Sequence, residues 1–503
     1  MATMEQRVTV KIRGSWLLIE NIPDQIYPQF TSALSYDKTV YDYTANFRGG
    51  SISASRVRIA CYKSLHKDNQ PKAILTRAGF LTRVTSLLEK NNVPFDVQDL
   101  STNIGKYFVN LDALEGYELR DQQADCLKQI LLNRGGIIKA ATGYGKTFLI
   151  PLICKVFSEA TIHIVTKRKD VARGIVRECT SHDVKVGLIT SGQPTTPGRI
   201  LVCTAGSLDR TKYDADLVIL DECHELVTPH YLEKLMRYKN ARFYGFSATA
   251  EERADNAHFH LEQLCGPVIY RAEYKEVCKE GNIVPIVIQW IRVPAVGGIP
   301  ASSQMPFHYL RKALRNHVQR NKTIVDVARK YKDSGNQVLI ITKTVEHALL
   351  LARDLPEFEL CCGTLTDRHL RTAQRYQMDL SKLRQNIKNR NELALAFRNR
   401  SIMGAIATEI WTTGVSFDDL EVLIRADADT SKISTAQVPG RVCRLPQKTD
   451  KAFGLVVDFI DEFHTQLYAR SLARYRAYKK MGWTQCDENL QPISSFPRIY
   501  TKI

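Results

Sequence analysis

Between Ile137 and Ile150 the chain reads IIKAATGYGKTFLI, a short apolar run, a glycine-punctuated loop and a second apolar run. Ala140-x4-Gly145-Lys146-Thr147 in that setting has the strand–loop–helix form of a phosphate cradle. Backbone N–H groups around Thr142, Gly143 and Gly145, with the N-terminus of the following helix, would hold the β-phosphate of a nucleotide. Lys146 would reach the β and γ oxygens, and Thr147 would place its hydroxyl on Mg²⁺. A Gly-Lys-Thr turn can arise without a ligand; the apolar flanks are what favour the cradle.

A second group of residues points to the same chemistry. ADLVILDECHE closes an apolar run with Asp221 and Glu222. Burying an unpaired charge is costly, so core packing does not explain acids at the tip of such a strand. In open α/β sheets that tip lies beside the phosphate loop. Asp221 is placed to hold Mg²⁺, mostly through water, and Glu222 to orient and deprotonate an attacking water. His224, two residues on, would sense the state of the γ-phosphate; the alternative is an ordinary surface histidine.

The elements that must position these groups follow from hydrophobic patterning. From about Leu119 to Phe463, β-branched runs such as TIHIVT, RILVCT, ADLVILDE, ARFYGFSAT, NQVLIITKT, MGAIAT, LEVLIRA and AFGLVVDFID alternate with amphipathic stretches. Short apolar runs without period-two alternation predict strands buried on both faces, hence parallel sheets covered by helices. The runs are too many for one sheet. Two tandem α/β domains meeting near residue 285 are therefore expected, with IRVPAVGGIPASSQMP, from Ile291 to Pro306, as the linker or loop candidate. Residues 1–112 predict a smaller α+β unit, with strands in VTVKIRGSWLLIE and SRVRIACYK, a turn at FRGGSIS, and a helix presenting Phe80, Val84, Leu87 and Leu88 on one face. The tail from about 468 predicts a basic helix.

Bulk properties narrow the function classes. The chain has 503 residues, enough for two to four domains. A formal net charge of +17 favours a polyanionic partner, nucleic acid before an acidic membrane surface. No apolar run is long enough to span a membrane, and the first residues lack the apolar core of a signal peptide. Twelve cysteines without CxxC pairs predict buried free thiols in a reducing compartment rather than a structural zinc site.

With these residues in view, the chain resembles the superfamily-two helicases of the DExH kind. LRDQQ resembles the adenine-side motif, implicating Arg120 and Gln123, although Gln122 stands where an aromatic residue is usual. IVTKRKD and CTAGSL resemble the first two nucleic-acid-contact motifs, and FSATAEER supplies Ser247 and Thr249, which in that family link hydrolysis to domain movement. ATEIWTTGVSFDDL resembles the fifth motif, with Thr408 and Gly414, and QVPGRVCR matches QxxGRxxR through Gln437, Gly440, Arg441 and Arg444. The resemblance spans about 350 residues. It implies tandem RecA-like domains, ATP and Mg²⁺ as cofactors, and Arg441 and Arg444 as arginine fingers worth about 10³–10⁵ in turnover.

Ser416, where many members carry Asp, and the N-terminal FRGGS…RVRIACYK segment resemble the phage UvsW-type branch-migration helicases. The form SATAEERAD, with Arg253 and Asp255, resembles the XPB-type group. The subgroup implies forked or branched DNA as substrate, a location in a bacterial host's cytoplasm, and a single-strand-binding protein as a companion. Residues 1–112 would grip duplex DNA, 113–285 and 286–467 would be the two motor domains, and 468–503 a basic C-terminal helix and tail. Thr166, Lys167, Thr204, Lys343, Thr344 and Thr408, each just past a strand end, are the expected phosphate contacts to a tracked strand. Thr366–Arg400 carries nine Arg or Lys against three acids. It reads either as a duplex-facing insertion or as a solvated helix pair burying Leu380, Leu383 and Ile387. Arg470, Arg474, Lys479 and Lys480 of the tail helix are further DNA-contact candidates. An RNA helicase or RNA-stimulated ATPase, a double-strand translocase and a non-catalytic binding scaffold remain rival readings.

Overall fold

The computed structural model describes residues 7–42, 53–65, 72–102, 104–192, 198–249, 256, 258–295, 301, 305–411 and 417–497. By its internal contacts the chain divides into two compact units, residues 1–140 with 145–272 and residues 141–144 with 273–503.

The first unit begins with a five-stranded sheet in the order Lys63–Leu65, Lys72–Arg77, Trp16–Ile22, Val8–Arg13, Phe95–Asp99. Alternation drives it: Val8, Val10 and Ile12 turn inward, as do Leu17 and Ile19 on the next strand. Helix Leu81–Lys90 closes this core with Val84 and Leu88, Phe80 entering from the turn before it. Strands Ser35–Asp42 and Ser53–Ala60 pair separately as a ribbon. The turn expected at FRGGSIS falls at residues 47–53, almost wholly outside the described residues.

A seven-stranded parallel sheet follows in the order Gly187–Ile189, Ile200–Thr204, Ile162–Thr166, Leu217–Asp221, Arg242–Ser247, Gly136–Ala140, Val268–Ala272. The N-terminal sheet docks on this layer by close backbone approach. A Cβ on Gly79 would lie 2.2 Å from the Glu262 carbonyl oxygen, and one on Gly14 2.4 Å from that of Lys239. Arg77 is buried there, donating to Ser15 Oγ at 2.5 Å and to the carbonyls of Tyr238 and Met236 beneath the Trp16 ring.

The second unit holds another seven-stranded parallel sheet, in the order Glu359–Cys361, Gly404–Ala407, Val338–Ile341, Val422–Arg425, Gly454–Asp461, Ile286–Val293, Thr484–Cys486. The two parallel sheets and the small N-terminal unit are the fold class expected from the patterning. Three details differ. Ile291–Val293 completes a strand instead of opening a linker. The change of unit falls between Ala272 and Glu273, ahead of 285, because Tyr274 Oη accepts from the Ile286 N–H and its ring meets Trp483 edge-on. The tail is not an appendage: helix Thr465–Met481 packs on strand Gly454–Asp461, and Thr484–Cys486 is a sheet edge. All twelve cysteines stand outside disulfides, and Cys278 alone is not fully buried.

Thr366–Arg400 forms three helices, Asp367–Arg375, Leu380–Lys388 and Arg390–Arg398. Leu383 is buried in the second unit's core, with Leu380 and Ile387 packed against it, so the apolar stripe does structural duty.

Candidate functional site

In the first unit the candidate residues gather at the C-terminal edge of the parallel sheet. Asp221 pairs in register with Phe246, and Ser247 with Lys139, one residue before the phosphate-loop strand ends. Side chains leaving those three strand ends share one rim.

Gly143 and Gly145 take φ of 89° and 97°, a conformation that favours glycine. Gly145 has a second reason to lack a side chain, since a Cβ there would lie 2.7 Å from Gln123 Nε2. Gln123 is buried and its Oε1 accepts from the Arg120 N–H at 3.2 Å, which turns its amide nitrogen toward the loop. Helix Lys146–Val156 starts at Gly145 with no side-chain cap, the arrangement that lets a helix N-terminus receive an anion. Lys146 Nζ donates to the Ala140 carbonyl at 2.8 Å, folded back along the loop, and Thr147 stands exposed in the first helical turn.

Asp221 is the last residue of its strand and is buried. Burial, and next the neighbouring Glu222 carboxylate, push its pKa up to about 7 against the pull of Lys146. Glu222 sits at φ 48°, ψ 51°, a left-handed conformation that costs a non-glycine residue energy and recurs at functional sites. His224 is buried rather than an ordinary surface histidine, with Nδ1 3.5 Å from Glu222 Oε2. The same nitrogen shares a 2.8 Å hydrogen bond with Ser247 Oγ, which also accepts from the Thr249 N–H at 3.0 Å. Glu222, His224, Ser247 and Thr249 thus form one continuous polar chain from the acid pair to the next strand end.

The expected strand contacts fare differently. Thr166 and Thr204 are not past their strands; they end them, paired in register and buried, and the Thr204 hydroxyl donates to Ser207 Oγ. Their hydroxyls therefore do not face a groove. Lys167 is more open, 3.9 Å from Glu225. Sequence reasoning missed Glu225, which also accepts from Arg168 at 3.2 Å and ties this strand end to the acid segment; the third acid of DECHE was its signal.

In the second unit Thr344 caps helix Val345–Asp354, its Oγ1 accepting from the His347 N–H. Lys343 donates to Asp429 at 3.0 Å. Burial raises the pKa of Asp429, but the Ser431 N–H and Lys343 together hold it below the usual carboxylate range. Asp429 was not anticipated; the acidic cluster RADADT was its signal. Thr408 lies just past its strand, mostly buried, its N–H bonded to the Cys361 carbonyl. Gln437 ends helix Lys432–Gln437, Arg441 ends the following turn mostly buried, and Arg444 lies 3.6 Å from Asp418. Gly414, Ser416, Arg253 and Asp255 lie outside the described residues. Arg474 is corrected outright as a DNA-contact candidate: it is fully buried, paired with Asp458 at 2.9 Å. Arg470, half-withdrawn, reaches the Ala428 carbonyl.

Comparison with known proteins agrees with this geometry. Residues 116–252 match the family model described as ResIII, type III restriction enzyme, res subunit. "Probable helicase D10" of Escherichia phage T5 is 24% identical over 366 residues, covering 69% of this chain and 72% of that protein. "DNA 3'-5' translocase XPB2" of Sulfurisphaera tokodaii is 22% identical over 355 residues, covering 66% and 80%. The structure of S. cerevisiae Dbp5 bound to RNA and ADP BeF3 shares the fold, with a TM-score of 0.52 at 13% identity over 76% of this chain and 95% of that one.

Proposed function

We propose that the chain is an ATP-driven superfamily-two helicase, akin to the phage and XPB-type relatives, that separates or remodels forked and branched DNA. The observation that carries the reading is the rim of the first parallel sheet, where Lys146, Asp221, Glu222, His224 and Ser247 come together on three adjacent strand ends.

The residues fit a magnesium nucleotide. A buried carboxylate whose proton is hard to remove, beside a second carboxylate, is a site that gains from a cation. Thr147 and Asp221 would hold the ion, which neutralises charge on the β- and γ-phosphates. Lys146 releases the Ala140 carbonyl and takes the phosphate oxygens. Gln123 and Arg120 read the adenine side. Glu222 takes the proton of the attacking water. The His224–Ser247 bond passes the change at Glu222 to the segment after Thr249. Gln437, Arg441 and Arg444 contribute to the transition state, as QxxGRxxR does in the superfamily.

DNA is favoured over RNA by the relative named as a DNA 3'-5' translocase, with bacterial cytoplasm as the setting for an enzyme similar to a phage helicase. Along the tracked strand, Lys167, the backbone groups at Thr166, Thr204 and Thr344, and the Thr408 hydroxyl serve as phosphate contacts, with Lys343 held ready by Asp429. The test is ATP-dependent turnover on a fork, a four-way junction, a flush duplex and an RNA duplex, side by side. Greatest activity on the branched DNAs is expected. Equal or better activity on the RNA duplex overturns the DNA reading.

A further inference from the structure

Helix Phe307–Asn316 precedes strand Val338–Ile341 in the second unit and belongs to none of the superfamily motifs. Leu310 and Leu314 are buried against Leu467 and Ala428, which fixes the helix by one narrow stripe. The remaining face is basic and aromatic. His308, Tyr309, Arg311 and Lys312 are exposed, Tyr309 at 56%, and the His308 and Tyr309 rings lie side by side with centroids 4.2 Å apart. From Met305 to Val325 the chain has five Arg or Lys and no Asp or Glu.

The helix also meets the strand-end rim. Arg311 lines a small cleft with Lys343 and Arg470, and Leu310 and Leu314 form its floor beside Asp429. Lys343 follows the strand end at Ile341 by two residues. Three cations from three separate elements therefore line this cleft with Asp427 and Asp429, Lys343 being paired with Asp429 at 3.0 Å, and Arg311 is two residues from the exposed Tyr309. An aromatic face for a base, flanked by cations for the phosphates on either side, is the arrangement that holds single strands without reading sequence.

We propose that helix Phe307–Asn316 is a single-stranded-DNA contact of the second unit, with Tyr309 stacking on a base and Arg311 and Lys312 meeting backbone phosphates. The inference rests on the DNA-tracking reading above and gives it a gripping element that the motifs do not contain. Charge complementarity selects the occupant, since a helix with exposed Arg311 and Lys312 and no acid of its own suits a polyanion, and the tyrosine adds a stacking surface that a phosphate-only contact would not need.

The test uses the full chain and a fluorescent oligothymidylate, with affinity read across a salt series. Arg311→Glu with Lys312→Glu is expected to weaken binding at least about tenfold and to flatten the slope of log affinity against log salt by about 1.4, two phosphates at about 0.7 each. Tyr309→Ala should lose about tenfold with the slope unchanged, and Tyr309→Phe should restore it. DNA-free ATP turnover should be unaffected in all three, because no residue changed belongs to the nucleotide site. If both altered forms bind as the parent does while a fork still stimulates the parent's turnover, the strand runs elsewhere and this inference alone falls. A parent that neither binds oligothymidylate nor responds to a fork removes the tracking reading and the inference together. Should the altered forms fail to fold, a 5-iodouracil-substituted strand irradiated on the unaltered protein must yield an adduct on Tyr309. An adduct-free Tyr309 overturns the proposal.

Discussion

At the scale of single side chains, the left-handed Glu222 and the buried His224 give the acid segment its shape. Glu222→Gln keeps the shape and removes the base, so nucleotide and DNA binding should persist while single-turnover hydrolysis drops by about 10²–10⁴. Ser247→Ala withdraws a hydroxyl from a buried imidazole and from the Thr249 N–H. A cost of about 1–3 kcal/mol in denaturant unfolding is expected, together with more ATP consumed per strand separated.

Two buried groups in the same unit also set an acid response. Burial pushes the His163 imidazole, bonded to Tyr238 Oη at 2.6 Å, down to about 4 from 6.5. Between those values the unfolded chain takes a proton that the folded protein refuses, so this contribution to stability is lost as pH falls through the window. Asp221 acts in the opposite sense: its raised pKa makes the folded protein hold a proton that the unfolded chain releases above 3.8, and that contribution is lost as pH rises toward 7. Thermal midpoints measured from pH 7 to 4 should fall more gently in His163→Asn and more steeply in Asp221→Asn than in the parent.

At the scale of elements, the N-terminal sheet is held to the first parallel sheet by contacts with no tolerance for added atoms. Gly79→Ala forces a methyl group against the backbone of helix His258–Cys265 and should destabilise the protein by about 1–3 kcal/mol, read by urea unfolding. An equal midpoint for parent and variant would mean that the two layers separate freely. Strands such as Leu217–Asp221 and Val338–Ile341 were legible in the sequence because burial on both faces leaves an unbroken apolar run. Gly187–Ile189, Glu359–Cys361 and Thr484–Cys486 were not, since three residues carry no period. Ile286–Val293 was missed, its last three residues being assigned to the linker, because Gln289 and Arg292 interrupt it. Gln289 is satisfied by the Glu488 carbonyl and by Tyr331, partners that no local pattern reveals. The glycine loop and the acid pair at their strand ends were legible because the chemistry expected of them demands fixed residue types at fixed spacing. The strand contacts were less so: the buried Arg474 looked like a surface cation until Asp458 was placed beside it.

At the scale of the whole molecule, a formal charge of +17 sets the character of binding. Affinity for DNA should fall steeply with salt, and its sequence dependence should be slight, because phosphate contacts position a strand without reading it. Charge alone would serve a passive binder equally well; hydrolysis is what distinguishes a motor. Strand separation on a forked DNA, followed with ATP in excess, compares the parent with Lys146→Ala and Glu222→Gln most directly. The parent should part the fork, while both variants bind it and leave it intact. Variants that part the fork at the parent's rate would contradict the account, because the work would then owe nothing to the phosphate loop and the acid pair.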